Sequence, residues 1–413
     1  MTKLLSAEKA LKIVLNNVHI LNEEKVHLTE GLNRILAENI YASENLPPFF
    51  NSAMDGYAVK AKDTKSATSG RPAILKLVED LPAGNLPTKK IKTGETIKIM
   101  TGAILPTGAD AVVRVEDTKE VITSSYKKNG ETRVKIYQSV SKDENIRQIG
   151  EDVKKGELVL KKGKLIRAQE IALLAALGRE WVKVYRQPLV AILTTGDELV
   201  EIKEKLNPGK IRDSNSYMLF AETLNAGGIP LRYGIIPDKE DILENKLREA
   251  IRSADLLLTS AGVSVGEYDL VKKCLLKLGF RLRFHTLAIR PGKPLLFGLL
   301  KNKPVFGLPG NPVSAMVTFK MFVRPAILKM RGQNDYSLPR GEAIIEEKVV
   351  KKEGIKYYLR GKLGKVNSKF YVRTTGPQGS GIISSLTNAD CLVVLPEGKT
   401  VLNKGEKVEI LFL

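Results

Sequence analysis

Apolar residues recur at helical spacing over residues 6–18 (Ser-Ala-Glu-Lys-Ala-Leu-Lys-Ile-Val-Leu and onward), with Ser6 placed as an N-cap. Residues 29–36 carry a second, shorter helical pattern. Between about 71 and 140 the period changes. Ala73–Val78, Glu95–Met100, Ala111–Glu116 and Val134–Tyr137 are short runs rich in Val and Ile, broken by Gly, Pro and Asn, and they predict a small β domain. Helical spacing returns over 168–177, where Gly178 is a natural stop. Helical and extended material flanks the β segment on both sides. The pattern therefore predicts an elongated N-terminal domain made of residues 1–45 and 146–182, with a β domain of residues 46–145 inserted into it.

From 183 to 330 strands and helices alternate. The strands are predicted at Leu189–Leu193, Leu231–Ile236, Leu256–Leu258, Phe284–Ile289, Leu295–Leu299 and Val305–Gly307. The intervening helices fall at Ser216–Leu224, Ile242–Arg252 and Leu270–Leu278, and a last one runs through Met330. Such alternation predicts a mostly parallel α/β sheet covered on both faces. Residues 331–413 return to short strands, among them Ala343–Val350, Lys356–Leu363, Leu392–Leu395 and Val408–Leu413, and predict a C-terminal β barrel-like domain.

Composition narrows the class. A chain of 413 residues is too long for one core, so several domains are expected. It holds 43% hydrophobic and 27% charged residues, as globular proteins do, and no apolar run approaches the roughly 18 residues of a membrane span. Residues 1–10 lack the apolar stretch of a signal peptide. Cys274 and Cys391 stand far apart, which disfavours a disulfide framework and fits a cytoplasmic protein. The net charge of +20 comes from scattered pairs such as Lys89-Lys90 and Lys351-Lys352. No basic and aromatic interleaving accompanies them, so solvated surface and anion steering rank above nucleic-acid binding.

The unusual segments follow the predicted α/β strands, where chemistry in such sheets is placed. They are Thr194-Thr-Gly-Asp-Glu-Leu199, Ile211-Arg-Asp-Ser-Asn-Ser216, Pro237-Asp238, Thr259 to Asp269, Arg290-Pro-Gly-Lys-Pro294 and Gly307-Leu-Pro-Gly-Asn-Pro312. Small residues and helix starts there suit phosphate. Converging carboxylates from Asp197, Glu198, Asp213, Asp238 and Asp269 suit Mg²⁺, and Arg290 with Lys293 suits an oxyanion. Plainer roles compete at single positions: Asp213 as a helix cap, Asp238 as a turn residue, Pro309 and Pro312 as a strand stop and a helix start. Outside this region one stretch stands out, Asn-Ser-Ala-Met-Asp-Gly-Tyr-Ala at 51–58. It reads as a loop of small residues that presents Asp55, with Gly56 chosen for backbone freedom.

In this order, 51–58, Thr-Gly-Asp-Glu-Leu (195–199), Arg-Asp-Ser-Asn (212–215), Gly-Val-Ser-Val-Gly (262–266), Pro-Gly-Lys-Pro (291–294) and Leu-Pro-Gly-Asn-Pro-Val-Ser (308–314) resemble the molybdopterin molybdenumtransferase family. That family includes the C-terminal enzyme part of gephyrin. Thr101-Gly-Ala103, Gly150-Glu-Asp152 and Thr375-Gly-Pro-Gln-Gly379 extend the likeness over nearly the whole chain. The resemblance implies an enzyme that takes adenylylated molybdopterin, inserts molybdate (or tungstate) and releases AMP with the help of Mg²⁺. It implies catalytic roles for Asp55, Thr101, Asp152, Glu198, Asp269 and Lys293, and metal ligation by some of Asp197, Glu198, Asp213 and Asp269. Substrate contacts are expected from Thr195, Gly196, Asp213, Ser214, Asn215, Asp238, Ser260, Gly262, Ser264, Gly266, Arg290, Pro309, Gly310, Asn311 and Pro312. Molybdate itself is expected at Arg290, Lys293 and Ser260. A homodimer is implied, with Asp55 of one chain closing the pocket of the other, and the molybdopterin adenylyltransferase of the preceding step is a candidate partner.

Two departures stand out. Ala261 occupies a place where the family usually has glycine, and Arg290 one where lysine is common. An arginine fork holds an oxyanion differently from a lysine point charge. The rival expectations are the adenylyltransferase itself, which would need neither β domain, and a non-catalytic scaffold of the gephyrin type.

Overall fold

The computed structural model describes residues 4–123, 131–261 and 270–413. Two compact units emerge from it. The larger comprises the chain up to Glu38, Lys162–Ala168 and Trp181–Leu413; the smaller comprises Asn39–Lys161 and Gln169–Glu180.

The larger unit is built on a six-stranded sheet in the order Ile229–Ile236, Leu189–Thr195, Leu256–Ser260, Lys303–Leu308, Pro294–Leu300, Arg281–Thr286. The first four strands are parallel and the last two join antiparallel. Leu189–Thr195 reads as a continuous apolar run because both faces are covered. Val190 and Ile192 pack with Leu256, Leu258 and Phe306 on one face. Ala191 and Leu193 pack with Leu243, Leu247, Val271 and Leu275 on the other. The helix Ala7–Asn16 starts where expected, with Lys9 N donating to Ser6 Oγ. It joins the first of these faces through Ala7, Ala10 and Val14, residues one turn apart.

Phe284–Ile289, expected as one strand, is divided. Arg281–Thr286 stays in this sheet, whereas Ile289–Arg290 pairs in parallel with Lys356–Tyr357. That pairing carries the chain to the C-terminal strands Lys356–Val366, Lys369–Thr374, Arg340–Ile345, Lys407–Phe412 and Cys391–Leu395, of which the first also pairs with the last. The five strands close on themselves and leave no free ladder between first and last. The interior is tight: a Cβ on Gly361 would stand 2.7 Å from Val372 Cγ2 and 2.9 Å from Val393 Cγ2. The helical pattern at 29–36 yields only the single 3₁₀ turn Leu28–Glu30. Beyond it, Leu36 N donates to Lys164 O and Ala37 N to Lys183 O, so long-range pairing overrides the local period.

The smaller unit contains a six-stranded sheet ordered Ala111–Arg114, Gly56–Val59, Glu95–Ile99, Ala73–Leu81, Glu131–Ile136, Thr118–Thr123. Here the reading of 51–58 as a loop is corrected. Asn51–Ser52 pairs with Ile146–Arg147, and Gly56–Val59 is a fully buried strand between Glu95–Ile99 and Ala111–Arg114. Only Ala53–Asp55 forms the turn between them. Among the described residues no helix is long and apolar enough to cross a membrane.

Candidate active site

The carboxyl ends of the parallel strands surround a cavity of about 700 Å³. Its walls include Glu198, Asp213, Ser214, Asn215, Ser260, Pro309, Gly310, Asn311 and Pro312, nine residues expected from sequence, together with Thr194, Ala261, Pro294, Gly381 and Ile383. Strand ends deliver Thr194 and Ser260 directly, since Thr194 lies opposite Ser260 in the parallel register. Asn215 opens the helix Asn215–Asn225, and Pro312 occupies the first turn of Pro312–Thr318, where a missing N–H costs nothing. Asn215 ties these ends together. Its Nδ2 donates to Ser260 Oγ at 2.9 Å and to Gly310 O at 2.7 Å.

Asp213 is 1% exposed, and both of its carboxylate oxygens are engaged. Ser216 N donates to Oδ1 at 3.0 Å and Ser216 Oγ to Oδ2 at 2.5 Å, which caps the following helix. Arg232 backs the pair. It donates to Ser216 Oγ at 2.8 Å and to both Glu201 oxygens at 2.6 and 2.7 Å, and its guanidinium lies 4.2 Å from the centre of the Tyr217 ring. Sequence reading missed Arg232, because nothing local marks an arginine inside a strand as the hub of a network.

The other carboxylates sit beyond the first strand. Gly196 has φ +144°, and a Cβ there would stand 2.6 Å from Glu198 Oε2, so glycine makes room for that carboxylate. Asp238 N donates to Asp197 Oδ1 at 3.3 Å. Burial, and then the nearby charges of Asp197 and Glu198, hold the Asp238 carboxyl above the usual carboxylate range. Lys210 Nζ donates to the Asp197 carbonyl. Thr195 is buried and is absent from the cavity wall. Among the described residues no three His, Cys, Asp or Glu side chains form a metal-holding set. Gly262, Ser264, Gly266 and Asp269 lie outside the described residues.

Arg290 lies elsewhere than Ser260. It lines a second cavity, also about 700 Å³, with Lys348, Lys351, Lys352, Tyr357 and Arg360. Its guanidinium is 5.5 Å from the Tyr357 ring centre, with Nη1 3.4 Å from the Tyr357 hydroxyl. Lys293 is exposed in the short segment between Arg290 and Pro294, and Pro294 lines the first cavity. Arg360 was not singled out from sequence. Fully buried, it donates from Nε to Ser385 Oγ at 3.0 Å and from its terminal nitrogens to the carbonyls of Pro377, Gln378 and Gly379. Burial pushes its guanidinium below the ordinary value. The one available signal was an arginine directly after the apolar run Tyr357-Tyr358-Leu359.

In the smaller unit Asp55 and Thr101 do come together. Asp55 Oδ1 accepts from Thr101 N at 2.6 Å and from Thr101 Oγ1 at 2.7 Å, and these bonds lower its pKa. Asp152 lies apart from them, in a hollow with Leu46, Pro47, Arg147 and Glu151.

Ala261 has φ +70°, the left-handed region that resists a Cβ. Its methyl stands 3.5 Å from where a Cβ on Gly310 would lie. Ala261→Gly is therefore expected to raise stability by about 0.5–1 kcal/mol, the relief of αL strain less the extra chain entropy of glycine. Thermal melting of the two proteins checks this, and a lower midpoint for the variant would show that Ala261 is not strained.

Comparison with known proteins agrees along the chain. Residues 5–178 match the MoeA N-terminal region (domain I and II), 191–329 the probable molybdopterin binding domain, and 342–413 the MoeA C-terminal region (domain IV). The chain is 38% identical over 395 residues to the molybdopterin molybdenumtransferase of Haemophilus influenzae, covering 94% of this chain and 93% of that one. It is 34% identical over 391 residues to the enzyme of that name from Bacillus subtilis, with coverage of 94% and 90%. The crystal structure of the molybdopterin biosynthesis MoeA protein from Pyrococcus horikoshii OT3 superposes with a TM-score of 0.82 at 34% identity, covering 100% of both chains. With relatives of this similarity along nearly its full length, the chain belongs to the molybdopterin molybdenumtransferase family.

Proposed function

We propose that this chain completes the molybdenum cofactor by inserting molybdate or tungstate into adenylylated molybdopterin, with release of AMP. The observation that carries the reading is the strand-end cavity, large enough for a nucleotide-sized ligand and walled by Glu198, Asp213 to Asn215, Ser260 and Pro309 to Pro312. The second cavity, where Arg290, Lys348 and Lys352 stand beside Glu347, supports oxyanion binding.

Mg²⁺ fits the donors present. Asp197, Glu198 and Asp238 offer oxygen alone, and burial, followed by the charges of Asp197 and Glu198, raises the Asp238 carboxyl. Mg²⁺ is commonly bound by one or two carboxylates plus substrate phosphate, so a ring of three carboxylates is not required. Held by Asp197 and Glu198, the ion would supply charge neutralisation at the phosphate. The chain's own residues do the rest. Asn215 fixes Ser260 against the Gly310 loop, so the wall is shaped before ligand arrives. Lys293 places a positive charge near the phosphorus as AMP departs, and Asp55 is held ionised by Thr101. The reading carries a cytoplasmic homodimer with it, and a sedimentation mass of one chain would remove the dimer. The molybdopterin adenylyltransferase reaction supplies the substrate.

The test is AMP release, measured by chromatography, from adenylylated molybdopterin with Mg²⁺ and molybdate. Wild type releases AMP, and Glu198→Gln lowers the rate about 100-fold, as loss of a charged group at a reacting centre does. Incorporation of AMP instead of release would identify an adenylyltransferase, and no turnover with either oxyanion would leave a scaffold.

A further inference from the structure

Two carboxylates in the wall of the strand-end cavity, Glu198 and Asp213, stand at the two ends of one excursion of the chain. Its stems run side by side, with Leu199–Val200 paired in parallel to Ile211–Arg212. Ile211 N donates to Glu198 O at 2.8 Å, and Asp213 N donates to Val200 O at 3.0 Å. The two wall residues share one backbone frame, so whatever fixes the stems fixes both.

Arg232 reaches both stems, although it does not line the cavity. It lies in the edge strand Ile229–Ile236, opposite Ile192, and its side chain is 22% exposed. On the first stem, Nη2 donates to both Glu201 oxygens, and the Tyr217 hydroxyl donates to Glu201 Oε2 at 3.2 Å. On the second, Nε donates to Ser216 Oγ, and Nη2 stands 3.8 Å from Asp213 Oδ2. Nε and Nη2 share one edge of the guanidinium, so a single rigid plane spans Glu201 and Ser216. Valence sets the direction of the rest. A guanidinium only donates, so Ser216 Oγ accepts from Arg232 and gives its own proton to Asp213. The Tyr217 ring covers the guanidinium and closes the arrangement from the helix side.

We propose that Arg232 is a positioning residue for the reaction: clamped between Glu201 and Ser216, it sets Glu198 against Asp213 across the cavity. The inference rests on the function proposed above, in which Glu198 faces Mg²⁺. Arg232 touches neither substrate nor ion, and acts through the two stems.

Amide hydrogen exchange on the full chain, resolved residue by residue, reads the clamp without substrate. The reporters are Ile211 N, bonded to Glu198 O, and Ser216 N, bonded to Asp213 Oδ1. Arg232→Met loses protection at both. Glu201→Ala loses it at Ile211 and keeps it at Ser216; its site is partly exposed, so it carries the test if Arg232→Met fails to fold. AMP release measured against Mg²⁺ concentration then separates positioning from stability. Both variants need about tenfold more Mg²⁺ for half-maximal rate and regain most of the wild-type rate at saturation, as loss of a group behind a metal ligand does. Arg232→Lys shifts the midpoint too, since one ammonium does not bridge two stems. Arg248→Met, which breaks a surface pair with Glu244, moves neither reading. Unchanged protection at Ile211 in both clamp variants overturns the clamp. A wild-type Mg²⁺ midpoint in Arg232→Met, with a lower rate at every concentration, overturns positioning and leaves a structural role. A wild-type chain that releases no AMP defeats the proposed function alone, because exchange still decides the clamp.

Discussion

Gly56→Ala unfolds the smaller unit at temperatures where the wild-type chain is intact. Gly56 lies in a central buried strand, and an ideal Cβ on it would stand 1.9 Å from Val113 O and 3.1 Å from Arg114 Cα. Neither atom belongs to a flexible side chain, so the ladder itself must move. Overpacking of this severity, in a strand paired on both sides, costs about 3–5 kcal/mol. In a unit of this size that lowers the midpoint by roughly 10 °C or more. The measurement is thermal unfolding with limited proteolysis, new cuts being expected within Asn39–Lys161. Gly70 is the control: a Cβ there meets nothing within 4 Å, so Gly70→Ala changes little. If Gly56→Ala melts within a degree of wild type, the strand does not pack as described. Function suffers too, because Asp55 precedes Gly56 and its carbonyl accepts from Val115 N at 3.0 Å.

Arg360→Met comes next in size. The buried guanidinium holds the carbonyls of 377–379 and the Ser385 hydroxyl, and among the described residues no carboxylate offsets its charge. Methionine fills most of the volume but leaves those acceptors without donors. The loss is about 3 kcal/mol or more. The consequence reaches the cavity because Gly381 and Ile383 are part of its wall, and Ser380 O accepts from Val313 N at the start of the helix behind Asn311. AMP release is expected to fall about 100-fold, the scale of a displacement of roughly 1 Å at a positioned wall. Arg360→Lys does not restore it, since one ammonium cannot span acceptors arranged for a planar fork. Activity and melting near wild type in Arg360→Lys would show that charge alone matters there.

Much of the candidate site was legible because it follows strand ends. Glu198, Asp213, Asn215, Ser260 and Pro309 to Pro312 were named from short polar segments after apolar runs, and they line one cavity. A strand in a covered sheet must be apolar on both faces, so its first polar residues mark where it emerges. Arg290 was grouped with them from its motif, but the pairing of Ile289–Arg290 with Lys356–Tyr357 carries it to the second cavity. That pairing joins residues more than sixty positions apart and has no local signature. The same limit hid Arg360 and Arg232, each of which acts through partners brought in by distant loops and helices. Thr194 lies in the segment 194–199 but nothing local marks it, because an orphaned hydroxyl is recognised only when, among the described residues, its surroundings are seen to lack a partner.

What the chain determined by itself is the class and order of its elements. The change from helical to two-residue period sets off the β region, the long apolar strands require a sheet covered on both faces, and the ordered motifs identify the family. These depend on contacts between near neighbours and on patterns of burial, which sequence records directly. Tertiary structure decided how the glycines and polar residues are used. Gly56 is small because a neighbouring carbonyl occupies the space of its Cβ, not because its turn needs freedom. Asp213 caps a helix under Arg232, and Asn215 spends both amide hydrogens on Ser260 and Gly310 and leaves one bare oxygen. Steric clearance and hydrogen-bond valence belong to pairs of atoms far apart in the chain, so only the folded arrangement can assign them.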